Sequence, residues 1–232
     1  MVSKYSKPQW GVSSSITLFP HQVDAVDWMK KRGNGIVYAE MGLGKTLISI
    51  KYMQEHKGPH LIVCGKTLIC SWLAEIKKFC SPEPKVFVYH SEYNKNLDID
   101  VGKYDIVITT YGKVVSENRL NKDKTKLFNK VRSGSREVWC IDDYRTVFNT
   151  ESTIYGTLWK TVICDECQMI CNWKTIRYQA IYSIPSKLMF GLSGTPIKNN
   201  LIELIGLCKM LRMKGYNLPS QWKTTKTNDA LF

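Results

Sequence analysis

The sequence has no run of 18 consecutive apolar residues, which argues against a transmembrane helix and a membrane partner. Its first fifteen residues, MVSKYSKPQWGVSSS, lack the apolar core of a secretory signal. No internal repeat is visible. Acidic residues are scarce beside basic ones, 20 Asp and Glu against 33 Lys and Arg, for a formal net charge of +13. That bias supports attraction to phosphate polyanions but identifies no specific site. A metal centre lacks ligands. The one cluster among eight cysteines, Cys164-x2-Cys167-x3-Cys171, has no fourth partner, and Cys164 lies in the strand-like run TVIC. The cysteines read as reduced buried thiols, which fits an intracellular, reducing compartment.

What is present suffices for a large core. The 232 residues are 44% hydrophobic and 23% charged, enough for one large α/β domain or two small ones. Residues 1–15 are polar and read as a flexible lead. Residues 16–32 carry Leu18, Phe19, Val23, Val26, Trp28 and Met29 at helical spacing, with Pro20 in the first turn. The run GIVYA at 35–39 reads as a short buried strand. A Gly-containing loop follows, then a helix from about Lys45 to Glu55. Further strands are expected at 60–64, 85–90, 104–110, 162–165 and 187–193, with helices over 67–79 and 199–212. Apolar strands alternating with helices indicate a mostly parallel sheet covered on both faces.

Residues 113–160 interrupt that rhythm and read as a basic insertion. Between 113 and 137 there are eight Lys or Arg and three Asp or Glu. Such a run is a solvated loop or a nucleic-acid contact. The following WCIDDYRTVF could add a small strand. Residues 213–232 form a polar, basic tail. A domain over 16–212 is therefore expected.

The strongest chemical signal is 39-AEMGLGKT-46, between the first strand and its helix. It fits the phosphate-binding pattern GxxxxGK[ST] except that Ala39 replaces the first Gly. Gly42 and Gly44 permit the tight turn that aims backbone N–H groups at phosphates. The helix N-terminus adds donors and a favourable dipole. Lys45 can reach the β- and γ-phosphates, and Thr46 can ligate Mg²⁺. At the end of a later strand, 162-VICDE-166 supplies Asp165 to hold Mg²⁺ and Glu166 as a base for an attacking water. ATP and Mg²⁺ are thus the expected ligands. An adjacent carboxylate suits attack by water better than transfer to a second small substrate.

In this order the segments resemble the first RecA-like lobe of superfamily 2 helicase-type ATPases, in the chromatin-remodeller-like branch of DNA translocases. The resemblance runs from about Leu18 to Leu211. It rests on LFPHQVDAVDWM at 18–29, AEMGLGKT, LIVCGKTLICSWLAEIKKF at 61–79, DIVITTYG at 105–112, DECQ at 165–168 and GLSGTPIKNNLIEL at 191–204. It implies an α/β fold, a RecA-like P-loop NTPase with a mostly parallel central sheet flanked by helices. It gives Gln22 the adenine edge, so the nucleotide set becomes Gln22, Gly42, Leu43, Gly44, Lys45, Thr46 and Leu47. Gln168, Ser193, Gly194 and Thr195 are implied to couple nucleotide state to the nucleic-acid groove. Lys66, Thr67, Thr109, Thr110 and Tyr111 follow strand carboxyl ends and are implied to hold a nucleic-acid backbone. His21 and Trp72 read as packing; Trp72 shares a helical side with Leu68 and Ile76.

The chain departs from the family pattern at Ala39, Gly65, Cys167, Gln168 and Cys171. Both catalytic carboxylates are kept. Gln168 cannot take a proton as the usual His can. Nothing after residue 212 resembles the second lobe, which supplies arginine fingers in such enzymes. The chain is therefore expected to be a monomeric half-site that partners a second RecA-like lobe and double-stranded DNA, with low activity alone. The rival readings are an RNA helicase lobe, a non-hydrolysing nucleic-acid-binding or scaffold module, and a metabolic P-loop kinase.

Overall fold

The computed structural model describes residues 10–118, 152–172, 174–195 and 201–212. Its elements are α1 (Pro20–Arg32), β1 (Gly35–Tyr38), α2 (Lys45–Met53), β2 (His60–Cys64), α3 (Ile69–Phe79), β3 (Val86–Tyr89) and β4 (Ile106–Thr110). A helical segment over residues 111–118, α4, follows β4 directly. Then come β5 (Trp159–Asp165), α5 (Ile176–Tyr182), β6 (Ser186–Ser193) and α6 (Leu201–Met210).

The six strands form one sheet in the order β1-β6-β5-β2-β4-β3. Every pairing is parallel. A parallel sheet needs crossovers on its faces, so its strands are buried on both sides. HLIVC in β2 and IVITT in β4 are buried at every position. Alternation then sorts side chains between two cores. Leu61 and Val63 face α4, α5 and α6, with Val114, Ile181 and Leu207. Ile62 and Cys64 face α1, α2 and α3, with Met29, Ile48, Trp72 and Ile76. This is the RecA-like arrangement expected from the sequence.

Register carries all strand ends to one edge. Tyr38 pairs with Ser193, Asp165 with Leu192, and Cys64 with Thr110. The loops after β1, β6 and β5 are therefore neighbours on one half of that edge, and those after β2, β4 and β3 share the other.

Three expectations change. Residues 10–13 are docked. Trp10 is buried edge-on to His60, 6.4 Å between ring centroids. Val12 bridges Cys80, and the Val12 N–H donates to the Gln54 side chain. The driving force is burial of one large indole in a stretch that is otherwise polar. Second, both ends of the expected 113–160 insertion belong to the core. Val114, Ile154, Tyr155 and Trp159 are fully buried. Glu117 closes this base, accepting from the Tyr89 hydroxyl at 3.0 Å, Lys113 Nζ at 2.9 Å and Ser152 Oγ at 2.8 Å. Third, β5 begins at Trp159, three residues before the expected start, because β6 offers partners from Ser186 onward. The segment WCIDDYRTVF, the rest of the insertion and the 213–232 tail lie outside the described residues.

Candidate nucleotide site

The loop after β1 is shaped by two glycines. Gly42 has φ +87° and Gly44 has φ +80°. Both lie in the left-handed region, where a Cβ is costly. Gly44 is also the N-cap of α2, so Lys45 and Thr46 open the helix. Lys45 Nζ donates to Ala39 O at 2.7 Å and Glu40 O at 3.1 Å. The ammonium thus lies inside the loop, where the helix N-terminus and loop N–H groups also collect positive potential. Thr46 is half-buried in that first turn. Leu47 is buried in the core, so only its backbone can face a ligand.

Gln22 is buried at 5% exposure and braces the loop from α1. Its Oε1 accepts from the Phe19 N–H at 3.0 Å, closing the helix start. Its Nε2 donates to Leu43 O at 3.2 Å. His21 Nε2 lies 3.3 Å from the same carbonyl and stacks on Phe19. His21 therefore touches the loop, a contact its sequence setting did not disclose. Leu43 and Met41 remain exposed at the loop surface.

Two strands away, β5 ends in Asp165. Its Oδ1 accepts from the Glu166 N–H at 3.0 Å. Its Oδ2 accepts from the Trp72 indole N–H at 2.8 Å. Burial pushes the Asp165 pKa up; Trp72 and the nearby Lys45 ammonium oppose that shift, and the Glu166 charge adds to it. Glu166 has φ +52° and ψ +51°, a left-handed backbone rare for a non-Gly residue. That conformation turns its side chain toward Gln168, whose Nε2 donates to Glu166 Oε2 at 2.5 Å. Gln168 Oε1 in turn accepts from Ser193 Oγ at 2.8 Å. Ser193 Oγ also accepts from the Thr195 N–H at 3.0 Å. Ser193 O binds back to the phosphate loop through the Ala39 N–H at 3.2 Å. A Cβ at Gly194 would sit 3.9 Å from Lys45 Nζ. Glu166, Gln168, Ser193 and Thr195 thus form one hydrogen-bonded line beside the loop. An amide can do this because it donates and accepts at once.

The other half of the edge holds the expected nucleic-acid residues, and the structure divides them. Lys66 and Thr67 are exposed, in a short turn before α3. Lys66 pairs with Glu92. The side chains of Thr109, Thr110 and Tyr111 are buried instead. Thr109 Oγ1 donates to Tyr89 O at 2.9 Å, and Thr110 Oγ1 accepts from the Lys113 N–H at 3.2 Å. The Tyr111 hydroxyl donates to Asp165 O at 2.6 Å. The three side chains are engaged inside the fold, because hydroxyls at the end of a buried strand find partners there. Trp72 does pack in the core as expected, but it also ends on Asp165. The available signal was chemical: a buried indole N–H needs an acceptor, and aliphatic neighbours on its helix offer none.

Cys164 and Cys167 are buried, and burial holds the Cys164 thiol up at about 12. Among the described residues no three His, Cys, Asp or Glu side chains converge as a metal cage. One carboxylate, one threonine hydroxyl and a phosphate loop are instead a donor set suited to Mg²⁺, which keeps waters and shares substrate phosphates. No helix among the described residues is long and apolar enough to cross a membrane.

Residues 21–231 match the family described as SNF2-related domain. Protein 172L of Invertebrate iridescent virus 6 is 30% identical, over 91% of this chain and 41% of its own length. The human SWI/SNF-related matrix-associated actin-dependent regulator of chromatin subfamily A containing DEAD/H box 1 is 31% identical, over 84% of this chain and 18% of its own. The Sulfolobus solfataricus SWI2/SNF2 ATPase core in complex with dsDNA superposes with a TM-score of 0.62 at 26% identity, covering 84% of this chain and 36% of that one. The chain spans less than half the length of each of these three.

Proposed function

Since the chain belongs to the SNF2-related domain family, we propose that it is the ATP-binding lobe of a motor that couples ATP hydrolysis to translocation on, or remodelling of, duplex DNA. The observation carrying this reading is the convergence of the phosphate loop, Asp165–Glu166 and Ser193 at the ends of three neighbouring strands, tied through Gln168. A phosphate loop alone would serve a kinase equally. A base-bearing strand joined by hydrogen bonds to a third strand end suits hydrolysis whose state is passed on.

Backbone N–H groups of residues 42–47 would bind the phosphates, with Lys45 exchanging its two loop carbonyls for phosphate oxygens. Gln22 holds the loop and would address the base of the nucleotide. Thr46 and Asp165 would hold Mg²⁺, which when bound neutralises phosphate charge. Glu166 orients a water and accepts its proton. Gln168 keeps that carboxylate in register with Ser193, Gly194 and Thr195. Lys66 and Thr67 supply the exposed cation and hydroxyl for a DNA backbone, once Glu92 releases Lys66. Exposed Met41 and Leu43 leave the site open on one side, which a second RecA-like lobe would cover.

The test is the ATPase rate of the full-length protein with no nucleic acid, duplex DNA, single-stranded DNA and RNA. Duplex DNA should raise the rate most. Stimulation by RNA alone would assign an RNA helicase lobe. Nucleotide binding without hydrolysis under every condition would assign a non-hydrolysing module.

A further inference from the structure

Asp165 is restrained from both faces of the sheet. Trp72 belongs to the core between the sheet and α1–α3. Tyr111 belongs to the opposite core, beneath α4–α6. Both side chains are nearly fully buried, at 2% and 3% exposure. Each ends in a single polar group, and each of those groups is spent on Asp165. The indole N–H takes the carboxylate Oδ2 at 2.8 Å, and the phenol takes the backbone carbonyl at 2.6 Å. Neither partner is close in sequence, with separations of 93 and 54 positions.

We infer that Trp72 and Tyr111 are positioning residues for Asp165, fixing its carboxylate and the Asp165–Glu166 peptide in the orientation that Mg²⁺ binding uses. The inference rests on the proposed role of Asp165 as the metal-binding carboxylate. Its geometry is specific. Oδ1 is held by the Glu166 N–H and Oδ2 by Trp72. Each oxygen keeps a further lone-pair direction free. A carboxylate fastened at both oxygens no longer rotates, so those free directions point one way. Trp has no acceptor and Tyr111 engages only the main chain, so neither competes as a metal ligand. The Tyr111 bond also pins the peptide plane leading into the left-handed Glu166, which sets where the base projects.

The two residues come from the segments that lead away from the other half of the edge. Trp72 follows the exposed Lys66 and Thr67 by less than two helical turns, and Tyr111 directly follows β4. Core packing alone would require neither the N–H nor the hydroxyl. Phenylalanine fills most of both volumes and supplies neither bond.

The experiment is a Mg²⁺ titration of methylanthraniloyl-ATP binding to the full-length protein, started in EDTA. Asp165→Asn tests the underlying reading: it should abolish the affinity gained from Mg²⁺, and a retained gain would sink the metal role of Asp165 itself. Trp72→Phe should raise the Mg²⁺ midpoint about ten-fold, the scale of losing a bond that orients a metal ligand. Tyr111→Phe should raise it about three-fold, as for one neutral hydrogen bond. Binding in EDTA should be unchanged in both, which reports an intact fold. If Trp72→Phe loses binding in EDTA as well, Tyr111→Phe decides alone. A midpoint that is unchanged or lowered while Asp165→Asn abolishes the gain overturns the inference.

Discussion

Replacing Gly44 by alanine should damage nucleotide binding more than replacing Gly42, although both residues have positive φ. At Gly42 a Cβ meets nothing within 4 Å, so Gly42→Ala costs only backbone strain. A non-Gly residue in the left-handed region costs about 1–2 kcal/mol. At Gly44 the same strain applies at φ +80°, and the new Cβ also collides with Gln22 Nε2. Gln22 must then release Leu43 O or Phe19 N, adding about 1 kcal/mol for a lost hydrogen bond. Because 1.4 kcal/mol is a factor of ten, Gly44→Ala should weaken nucleotide binding about five-fold more than Gly42→Ala. Fluorescence titration with a labelled ATP measures both. A double-mutant cycle isolates the cause, since contacting residues are non-additive. In a Gln22→Ala background the excess should vanish and the two glycine changes should cost the same. If Gly44→Ala remains worse by the same factor without Gln22, the brace between α1 and the loop is not what holds the loop in shape.

Three further outcomes are expected. His60 is buried, and burial lowers its pKa from 6.5 to about 4. The unfolded chain therefore binds the extra proton between those values, and stability falls as pH drops through that window. Urea unfolding at pH 7.5 and pH 5 should differ by about 2 kcal/mol more in the wild type than in His60→Gln; equal differences would refute the buried neutral imidazole. Glu117→Ala should lower unfolding free energy by about 3 kcal/mol, because it strands Lys113 and two hydroxyls around a lost carboxylate. A loss under about 1 kcal/mol in urea would mean that this cluster does not close the base of the insertion. Glu166→Gly should be more stable than Glu166→Ala by about 1 kcal/mol, since both lose the Gln168 bond and only glycine relieves the left-handed backbone. Equal stability in calorimetry, or a less stable glycine variant, would show that the conformation carries no strain.

Elements and chemistry were legible in the sequence to different depths. The strands HLIVC and IVITT are short, mostly apolar runs, a pattern that burial on both faces explains, and both are interior strands of the sheet. Pro20 and Gly33 bracket α1 as helix start and stop signals should. Gly42, Gly44, Lys45 and Thr46 could be placed because the phosphate loop is written in consecutive residues. Trp72, Tyr111 and Gln22 could not be read fully, because their partners are set by tertiary approach across 93, 54 and 21 positions. Periodicity reports which face of a helix is apolar, and it does not report where one indole N–H ends. Thr109 and Thr110 illustrate the converse. Polar residues at a strand end resemble ligand contacts in sequence, and only the fold reveals that the Tyr89 carbonyl and the Lys113 N–H bond them inside. Trp10 was obscured by its polar neighbours, since a single large side chain is enough to dock a segment that averages as a tail.

The proposed function turns on Glu166, held by Gln168 beside the phosphate loop, serving hydrolysis driven by DNA. The most direct measurement is phosphate release by the full-length protein with saturating duplex DNA, wild type against Glu166→Gln, alongside labelled-ATP binding by each. Glu166→Gln should bind ATP within a few-fold of wild type and lose DNA-stimulated release by roughly 100-fold or more, the scale of removing a general base. Release that continues near the wild-type rate would rule Glu166 out as the base.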